Sequence, residues 1–138
     1  MYTRPAINYR CAGKNILIVD DTAMVSNIMV KVAQSMQCNT TLATGGAQAI
    51  ELIAQNDYDL VVLDLVMPFV NGLHVLDFIE ETKPALLDRV VITSGDSNHI
   101  AQVNQTQNYK LDGLIKPFSV ADFVEMLTSH LSVSKSAA

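Results

Sequence analysis

Polar side chains suited to phosphoryl transfer follow the apolar runs of this sequence. Asp20 and Asp21 come after "ILIV" and Asp64 comes after "LVVL", whereas Ser94 and Lys116 end the runs "VVITS" and "GLIK". A buried carboxylate without a partner is costly or takes up a proton, so grouped acids predict a positive partner. Mg²⁺ prefers such oxygen ligands, and Lys116 would add a second positive charge. This combination can stabilise the charge on a phosphoryl group during transfer, with one carboxylate as the nucleophile.

The elements that must position these side chains are strand-length apolar runs. Three of the runs consist almost wholly of β-branched residues and Leu, as is typical of central strands in a parallel sheet that is covered on both faces. The predicted strands are 15–20, 40–43, 59–64, 89–94 and 112–115.

Helical periods separate these strands. The clearest apolar stripe predicts a helix over 23–37, and the last helix is expected to follow Ser119 as its N-cap. Shorter helices are predicted over 45–55 and 72–82, and the polar segment 97–110 is the most weakly anchored of the five. Alternating strands and helices predict a doubly wound α/β domain with a five-stranded parallel sheet and five helices. All strands then end at one edge, where ligands bind in such folds.

Composition limits the function classes. At 138 residues and 49% hydrophobic content, the chain can form one domain, which we place at 14–131 between flexible segments 1–13 and 132–138. A net charge of −5 disfavours direct binding to nucleic acid or anionic membranes. Without a membrane span or signal peptide, a cytoplasmic location is expected, where Cys11 and Cys38 would stay reduced.

Four motifs together resemble a known family. "ILIVDD", "LDLVMPFVNG", "ITSG" and "IKPF" occur in the order and spacing of the receiver (CheY-like) domains of bacterial two-component response regulators. The similarity extends from about residue 14 to 131. It implies a flavodoxin-like sheet with strand order 2-1-3-4-5.

The resemblance also implies roles at the metal site. Asp64 would accept a phosphoryl group from a histidine kinase. Mg²⁺ would be held by Asp21, Asp64 and the backbone carbonyl of Val66, with Asp20 acting directly or through water. The cofactor expected from the resemblance is therefore Mg²⁺, and the protein is not expected to be an enzyme that turns over outside substrates.

Other roles concern the response to phosphorylation. Lys116 would pair with the phosphoryl oxygens, and the hydroxyl of Ser94 would move in to bond them. The bond before Pro117 would be cis, and Asn71-Gly72 would supply left-handed backbone in the turn after Asp64.

Two positions depart from the family pattern. Many receivers carry an aromatic residue three positions before the strand 5 lysine, where this chain has Gly113. Switching should then depend on Ser94 and on the loop and helix that follow it. Val66, two positions after Asp64, is apolar, so we expect poor positioning of an attacking water and a phosphoryl lifetime of minutes or longer.

The expected partners are a sensor histidine kinase or histidine phosphotransfer protein and a downstream effector that binds the 97–131 face. We expect no DNA-binding output domain in this chain, and we expect a monomer or weak homodimer. Two other functions are considered. A haloacid dehalogenase-like phosphatase needs a second acid at the position of Val66. A flavodoxin-like FMN carrier needs a phosphate loop where this chain has Asp20 and Asp21, which would repel phosphate.

Overall fold

A computed structural model describes residues 11–131 of the chain. Five parallel strands form one sheet in the order β2-β1-β3-β4-β5. The strands are β1 (Asn15–Val19), β2 (Asn39–Ala43), β3 (Leu60–Asp64), β4 (Val90–Ser94) and β5 (Asp112–Ile115). The predicted strands were therefore placed to within one residue at each end, and the predicted strand order is confirmed.

The described residues contain the five predicted α-helices, of which four connect successive strands and the fifth follows β5. They are α1 (Ala23–Ser35), α2 (Gly46–Gln55), α3 (Gly72–Thr82), α4 (Ser97–Gln107) and α5 (Val120–Leu131). A short 3-10 helix, Pro84–Arg89, precedes β4 and was not predicted. Ser119 caps α5 as expected: its hydroxyl accepts from the N–H of Asp122, and its own N–H donates to the Asp122 carboxylate.

Alternate residues of the central strands supply two separate cores. Leu17, Val61 and Ile92 face the side covered by α2, α3 and α4, whereas Ile18 and Val62 face the side covered by α1 and α5. Because both faces are covered, β3 and β4 are buried along their whole length. In these central strands only the ends can therefore present polar groups to a site.

The predicted flexible segments fall mostly on 1–10 and 132–138, which lie outside the described residues. Within 11–13, Cys11 is buried, and the N–H of Gly13 donates to the carbonyl of Gln37. Cys11 and Cys38 are both buried free thiols.

Candidate functional site

Three carboxylates meet at the carboxyl edge of the sheet. Asp20 and Asp21 follow β1, and Asp64 is the last residue of the neighbouring strand β3. One oxygen from each lies within 4.8 Å of the other two. Asp20 and Asp64 are 1% and 4% exposed, whereas Asp21 is exposed to solvent. Such a set of oxygen ligands, open on one side, fits a hard divalent cation that keeps some of its waters.

The ammonium of Lys116 contacts two of these carboxylates. Its Nζ lies 2.9 Å from Oδ2 of Asp20 and 3.1 Å from Oδ2 of Asp64. Lys116 follows β5, at the edge of the sheet, so its side chain must pass over the end of β4 to reach β3 and β1. Its backbone N–H donates to the carbonyl of Ser94, and this bond fixes the starting point of the side chain. The Lys116–Pro117 bond is cis, as the resemblance implies.

The pKa values of Asp64 and Lys116 are both raised, but for different reasons. Burial raises the pKa of Asp64 and the charge of Asp20 adds to that rise, while the N–H of Val66 and the charge of Lys116 lower it without cancelling it. Burial alone would lower the pKa of Lys116, but the hydrogen bond to Asp20 and the charges of both carboxylates raise it overall. Lys116 is thus firmly charged, whereas the negative charge of Asp64 is incompletely compensated.

The loop after β3 orients Asp64. The N–H of Val66 donates to Oδ1 of Asp64 at 3.1 Å, which leaves Oδ2 for Lys116. Gly72 packs on the strand end: a Cβ there would lie 2.6 Å from the carbonyl oxygen of Asp64. A side chain at this position would therefore push the loop away from Asp64.

The expectation that Asn71-Gly72 supplies left-handed backbone was wrong. The residue of this loop with positive φ is Phe69, at 65°. Asn71 is extended instead, since its side chain caps α3 by accepting from the N–H of His74, whose Nδ1 accepts from the N–H of Asn71. The glycine is needed for its close approach to Asp64 rather than for left-handed backbone.

Ser94 ends β4 beside the acidic cluster and is 2% exposed. Its hydroxyl accepts from the N–H of Asp96 at 3.1 Å, and the carboxylate of Asp96 in turn caps α4 by accepting from the N–H of Asn98. The hydroxyl of Ser94 is therefore hydrogen-bonded to the N-terminus of α4. Any movement that removes the hydroxyl from this bond releases a contact of that helix.

Ile100 of α4 occupies the space beside Gly113. A Cβ built on Gly113 would lie 2.6 Å from Cδ1 and 2.9 Å from Cγ2 of Ile100. A side chain at this position of β5 therefore requires Ile100 or α4 to shift. Ile100 and Val103 are the buried residues of α4, in line with its predicted weak anchoring.

Sequence reasoning missed Thr93, the residue before Ser94. Thr93 is 1% exposed and pairs with Asp64 across the β3–β4 register. Its Oγ1 is the one buried side-chain polar atom within 11–131 that has no hydrogen-bond partner. A hydroxyl in the otherwise apolar run "VVIT" was the available signal.

Three exposed apolar side chains, here called the apolar rim, belong to the segments that follow the acids at the ends of β1 and β3. Met24 at the start of α1 is 77% exposed, and Val66 and Phe69 of the loop after β3 are 65% and 97% exposed. A groove of about 320 Å³ lies next to Lys116 and is lined by Val25, Ile28, Met29, Pro117 and Phe118. Contiguous apolar surface marks sites that contact other proteins, and these side chains and this groove are the candidates for such a surface near the acids.

Comparison with known proteins gives one family. Residues 16–128 match the model of the response regulator receiver domain. The nitrate/nitrite response regulator protein NarL of Escherichia coli K12 is 38% identical over 116 residues, which are 81% of this chain and 52% of NarL. Chemotaxis protein CheY of Thermotoga maritima is 28% identical over 119 residues, which are 83% of this chain and 95% of CheY.

A solved structure has the same fold. The receiver domain of sensor histidine kinase PA1611 from Pseudomonas aeruginosa PAO1, determined with a magnesium ion in its active-site cleft, superposes with a TM-score of 0.76. The two chains are 22% identical, and the match covers 88% of this chain and 100% of that one. Other curated relatives are much longer, and the chain spans only 21% and 25% of two of them. Within residues 11–131, no helix has the length and apolarity that crossing a bilayer requires.

Proposed function

Because the chain belongs to the response regulator receiver domain family of two-component signalling, we propose that Asp64 accepts a phosphoryl group and that this changes a protein-binding surface. The donor is the phosphohistidine of a sensor histidine kinase or of a histidine phosphotransfer protein. The observation that carries the proposal is that the Asp64 carboxylate contacts the Lys116 ammonium and lies within 4.8 Å of two further carboxylates.

The chemical step is a displacement at phosphorus. A carboxylate oxygen of Asp64 attacks the phosphorus atom, the nitrogen–phosphorus bond breaks, and the imidazole leaves with the bonding electron pair. Lys116 supports the step because its ammonium already lies 3.1 Å from Asp64 and can follow the negative charge onto the phosphoryl oxygens. The product is an acyl phosphate on the protein.

Mg²⁺ is the proposed cofactor. The side chains that would hold it are those of Asp20, Asp21 and Asp64, together with the backbone carbonyl of Val66. When bound, Mg²⁺ would neutralise the clustered carboxylates and lower the barrier to approach of an anionic phosphoryl group. The incompletely compensated charge of Asp64 supports this assignment, because one ammonium cannot balance three acids.

The signal would leave the site through Ser94. When its hydroxyl turns to the phosphoryl group, the bond from the N–H of Asp96 is lost, and with it a contact of the α4 N-terminus. Because α4 is held by few buried residues, a small change at its N-terminus can alter its position. The 97–131 face is the proposed surface for the effector or for weak self-association.

The apolar rim supports a protein as the phosphoryl donor. Met24, Val66 and Phe69 are 77%, 65% and 97% exposed, and a small phosphoryl donor would leave these apolar side chains in water. A helical partner that carries the phosphohistidine can bury these side chains and bring the phosphorus atom to Asp64. The phosphatase alternative needs a second acid two residues after the nucleophile, and this chain has Val66 there. We therefore do not propose that the protein hydrolyses phosphate esters.

The test is incubation with acetyl phosphate, with and without Mg²⁺, followed by intact-mass measurement. We expect a Mg²⁺-dependent gain of one phosphoryl group that is absent in Asp64→Asn. Amide NMR with beryllofluoride should then show shifts concentrated in residues 94–118. No modification under any condition, in a protein shown to be folded, would refute the phosphoacceptor role.

A further inference from the structure

The hydroxyl of Thr93 is a polar group that the fold does not explain. It is 1% exposed, and Oγ1 has no hydrogen-bond partner among residues 11–131. A buried hydroxyl without a partner is unfavourable, and valine would fill the same space without that cost. Core packing therefore does not account for a threonine here.

Strand register places Thr93 on the face of the sheet that carries Asp64, between the strand that ends at Asp64 and the strand that precedes Lys116. Thr93 pairs with Asp64 of β3 on one side and with Leu114 of β5 on the other, and paired residues share a face of the sheet. Two residues earlier, Val62 and Val91 of the same strands lie in the core beneath α1 and α5, which identifies the face. The Lys116 side chain must cross β4 at this end of the sheet in order to reach Asp64.

Lys116 has a donor available for this hydroxyl. An ammonium carries three N–H groups. The Lys116 ammonium donates one hydrogen bond to Asp20 and one to Asp64, so two of its three N–H groups are used among residues 11–131. Phosphorylation converts the Asp64 carboxylate to an acyl phosphate, so one carboxylate oxygen becomes the bridging oxygen and the negative charge moves outward onto the phosphoryl group. The ammonium must then change its partners.

We propose that Thr93 is a positioning residue for Lys116, whose hydroxyl oxygen accepts a hydrogen bond from the Lys116 ammonium as that ammonium leaves the Asp64 carboxylate for the phosphoryl group. This inference rests on the proposed phosphorylation of Asp64. The hydroxyl holds the lysine side chain across β4 while the phosphoryl group is transferred, and no bond to Thr93 is made or broken in the reaction.

The experiment compares Thr93→Val, which removes the hydroxyl and keeps the shape, with Thr93→Ser, which keeps the hydroxyl. Phosphorylation by acetyl phosphate in Mg²⁺ is followed by intact mass over a range of donor concentrations. For Thr93→Val we expect the maximal rate to fall by about tenfold or more, as the loss of one hydrogen bond to a charged group predicts, with an unchanged half-saturating concentration. Thr93→Ser should restore the maximal rate to within about twofold, because it retains the acceptor oxygen.

Thermal unfolding separates this role from a structural one. A hydroxyl that only occupies the core should raise the melting temperature when it is replaced by the methyl group of valine and should leave the rate unchanged. That result, or a Thr93→Ser variant as slow as Thr93→Val, would overturn the inference. If Thr93→Val does not fold, Thr93→Ala is judged by the same rate criteria.

The wild-type arm distinguishes the two proposals. If the wild-type protein is not modified, the phosphoacceptor role fails and this inference fails with it. If the wild-type protein is modified at Asp64 and Thr93→Val reacts equally fast, only the role of Thr93 is refuted.

Discussion

The ammonium of Lys116 lies 3.1 Å from Oδ2 of Asp64, although the two residues are 52 positions apart and β4 runs between their strands. The ion pair therefore exists only when β3, β4 and β5 are assembled in order. It links the end of the central strand β3 to the end of the edge strand β5, beside the three carboxylates. Its strength is limited because Lys116 is shared with Asp20, which is closer, at 2.9 Å.

Asp64→Asn should stabilise the metal-free fold. Burial and Asp20 raise the pKa of Asp64 overall, so the folded state disfavours its charge. Because its pKa is higher in the folded state, Asp64 adds to the free energy of unfolding at a pH below its unfolded-state pKa of 3.8. This contribution is lost as the pH rises through the folded-state pKa. The gain in melting temperature from Asp64→Asn should therefore be larger at pH 7 than at pH 4.

Thermal unfolding in EDTA across that pH range measures this gain. Asp88→Asn is the matched control, since Asp88 is exposed and should give no comparable gain. A lower melting temperature for Asp64→Asn at pH 7 would mean that its charge is stabilising in the folded state.

Mg²⁺ should stabilise the fold through the exposed acid. Asp21 is exposed, so Asp21→Asn should remove a ligand with little effect on the fold without metal. A ligand at ten times its dissociation constant stabilises the folded state by about 1.4 kcal/mol. Melting curves over a Mg²⁺ titration should show this rise in the wild-type protein and a strongly weakened one in Asp21→Asn. Equal titrations for both proteins would exclude Asp21 as a ligand.

Gly113→Ala should destabilise the protein through one contact. The new Cβ would lie 2.6 Å from Cδ1 of Ile100, and overpacking of this kind costs about 1–3 kcal/mol. In the Ile100→Ala background both of the closest atoms are gone, so the same substitution should cost much less. Urea unfolding of the wild-type protein, the two single variants and the double variant gives the coupling free energy between positions 100 and 113. If the two substitutions had additive effects on the free energy of unfolding, the cost of Gly113→Ala would not come from its contact with Ile100.

The side chain at position 66 should set the lifetime of the phosphoryl group. Val66 is 65% exposed and lies two residues after Asp64, and its side chain has no polar atom to hold an attacking water. We expect a half-life of minutes or longer for the wild-type protein and a shorter one for Val66→Asn, whose amide can bind water. Loss of the phosphoryl group after donor removal, followed by intact mass, measures both. A wild-type half-life of seconds contradicts this expectation.

Alkaline pH should destabilise the fold through Cys38. Burial, with a smaller effect from the neighbouring Cys11, raises the pKa of Cys38 from 9.0 to about 12. The unfolded state therefore loses the thiol proton first, and stability falls between those values by up to about 1.4 kcal/mol per pH unit. Tyr109 contributes to the same alkaline loss, since burial and its hydrogen bond to Glu80 raise its pKa to about 12. Urea unfolding from pH 8 to 11 measures how steeply the free energy of unfolding falls with pH. The part of this slope that is lost in Cys38→Ala is due to the thiol. An unchanged slope in Cys38→Ala would exclude Cys38 as its source.

Local sequence determined the elements of this protein because their signals lie within a few residues of one another. Apolar runs placed every strand to within one residue, and the pair Ser119 and Asp122 fixed the start of α5. Alternation of strands and helices was enough to predict a parallel sheet. It also predicted that the polar residues ending the strands would share one edge.

Tertiary structure decided the contacts that link distant segments. The turn after Asp64 was predicted wrongly because its conformation depends on the cap between Asn71 and His74 and on the approach of Gly72 to the Asp64 carbonyl. The 3-10 helix before β4 was missed for a similar reason, since its single buried residue, Leu86, is fixed by packing on the distant core.

The amino-acid sequence by itself determined which polar groups reach the carboxyl edge, since each of them directly follows an apolar run. Only the tertiary structure decided how those groups are shared: Lys116 divides its charge between Asp20 and Asp64, Ile100 fills the space beside Gly113, and Thr93 keeps a hydroxyl with no partner within residues 11–131. The physical reason is that hydrogen bonding and packing at this edge depend on strand register and helix position. Those arise from the whole core, whereas the pattern of a single segment reports only its own burial.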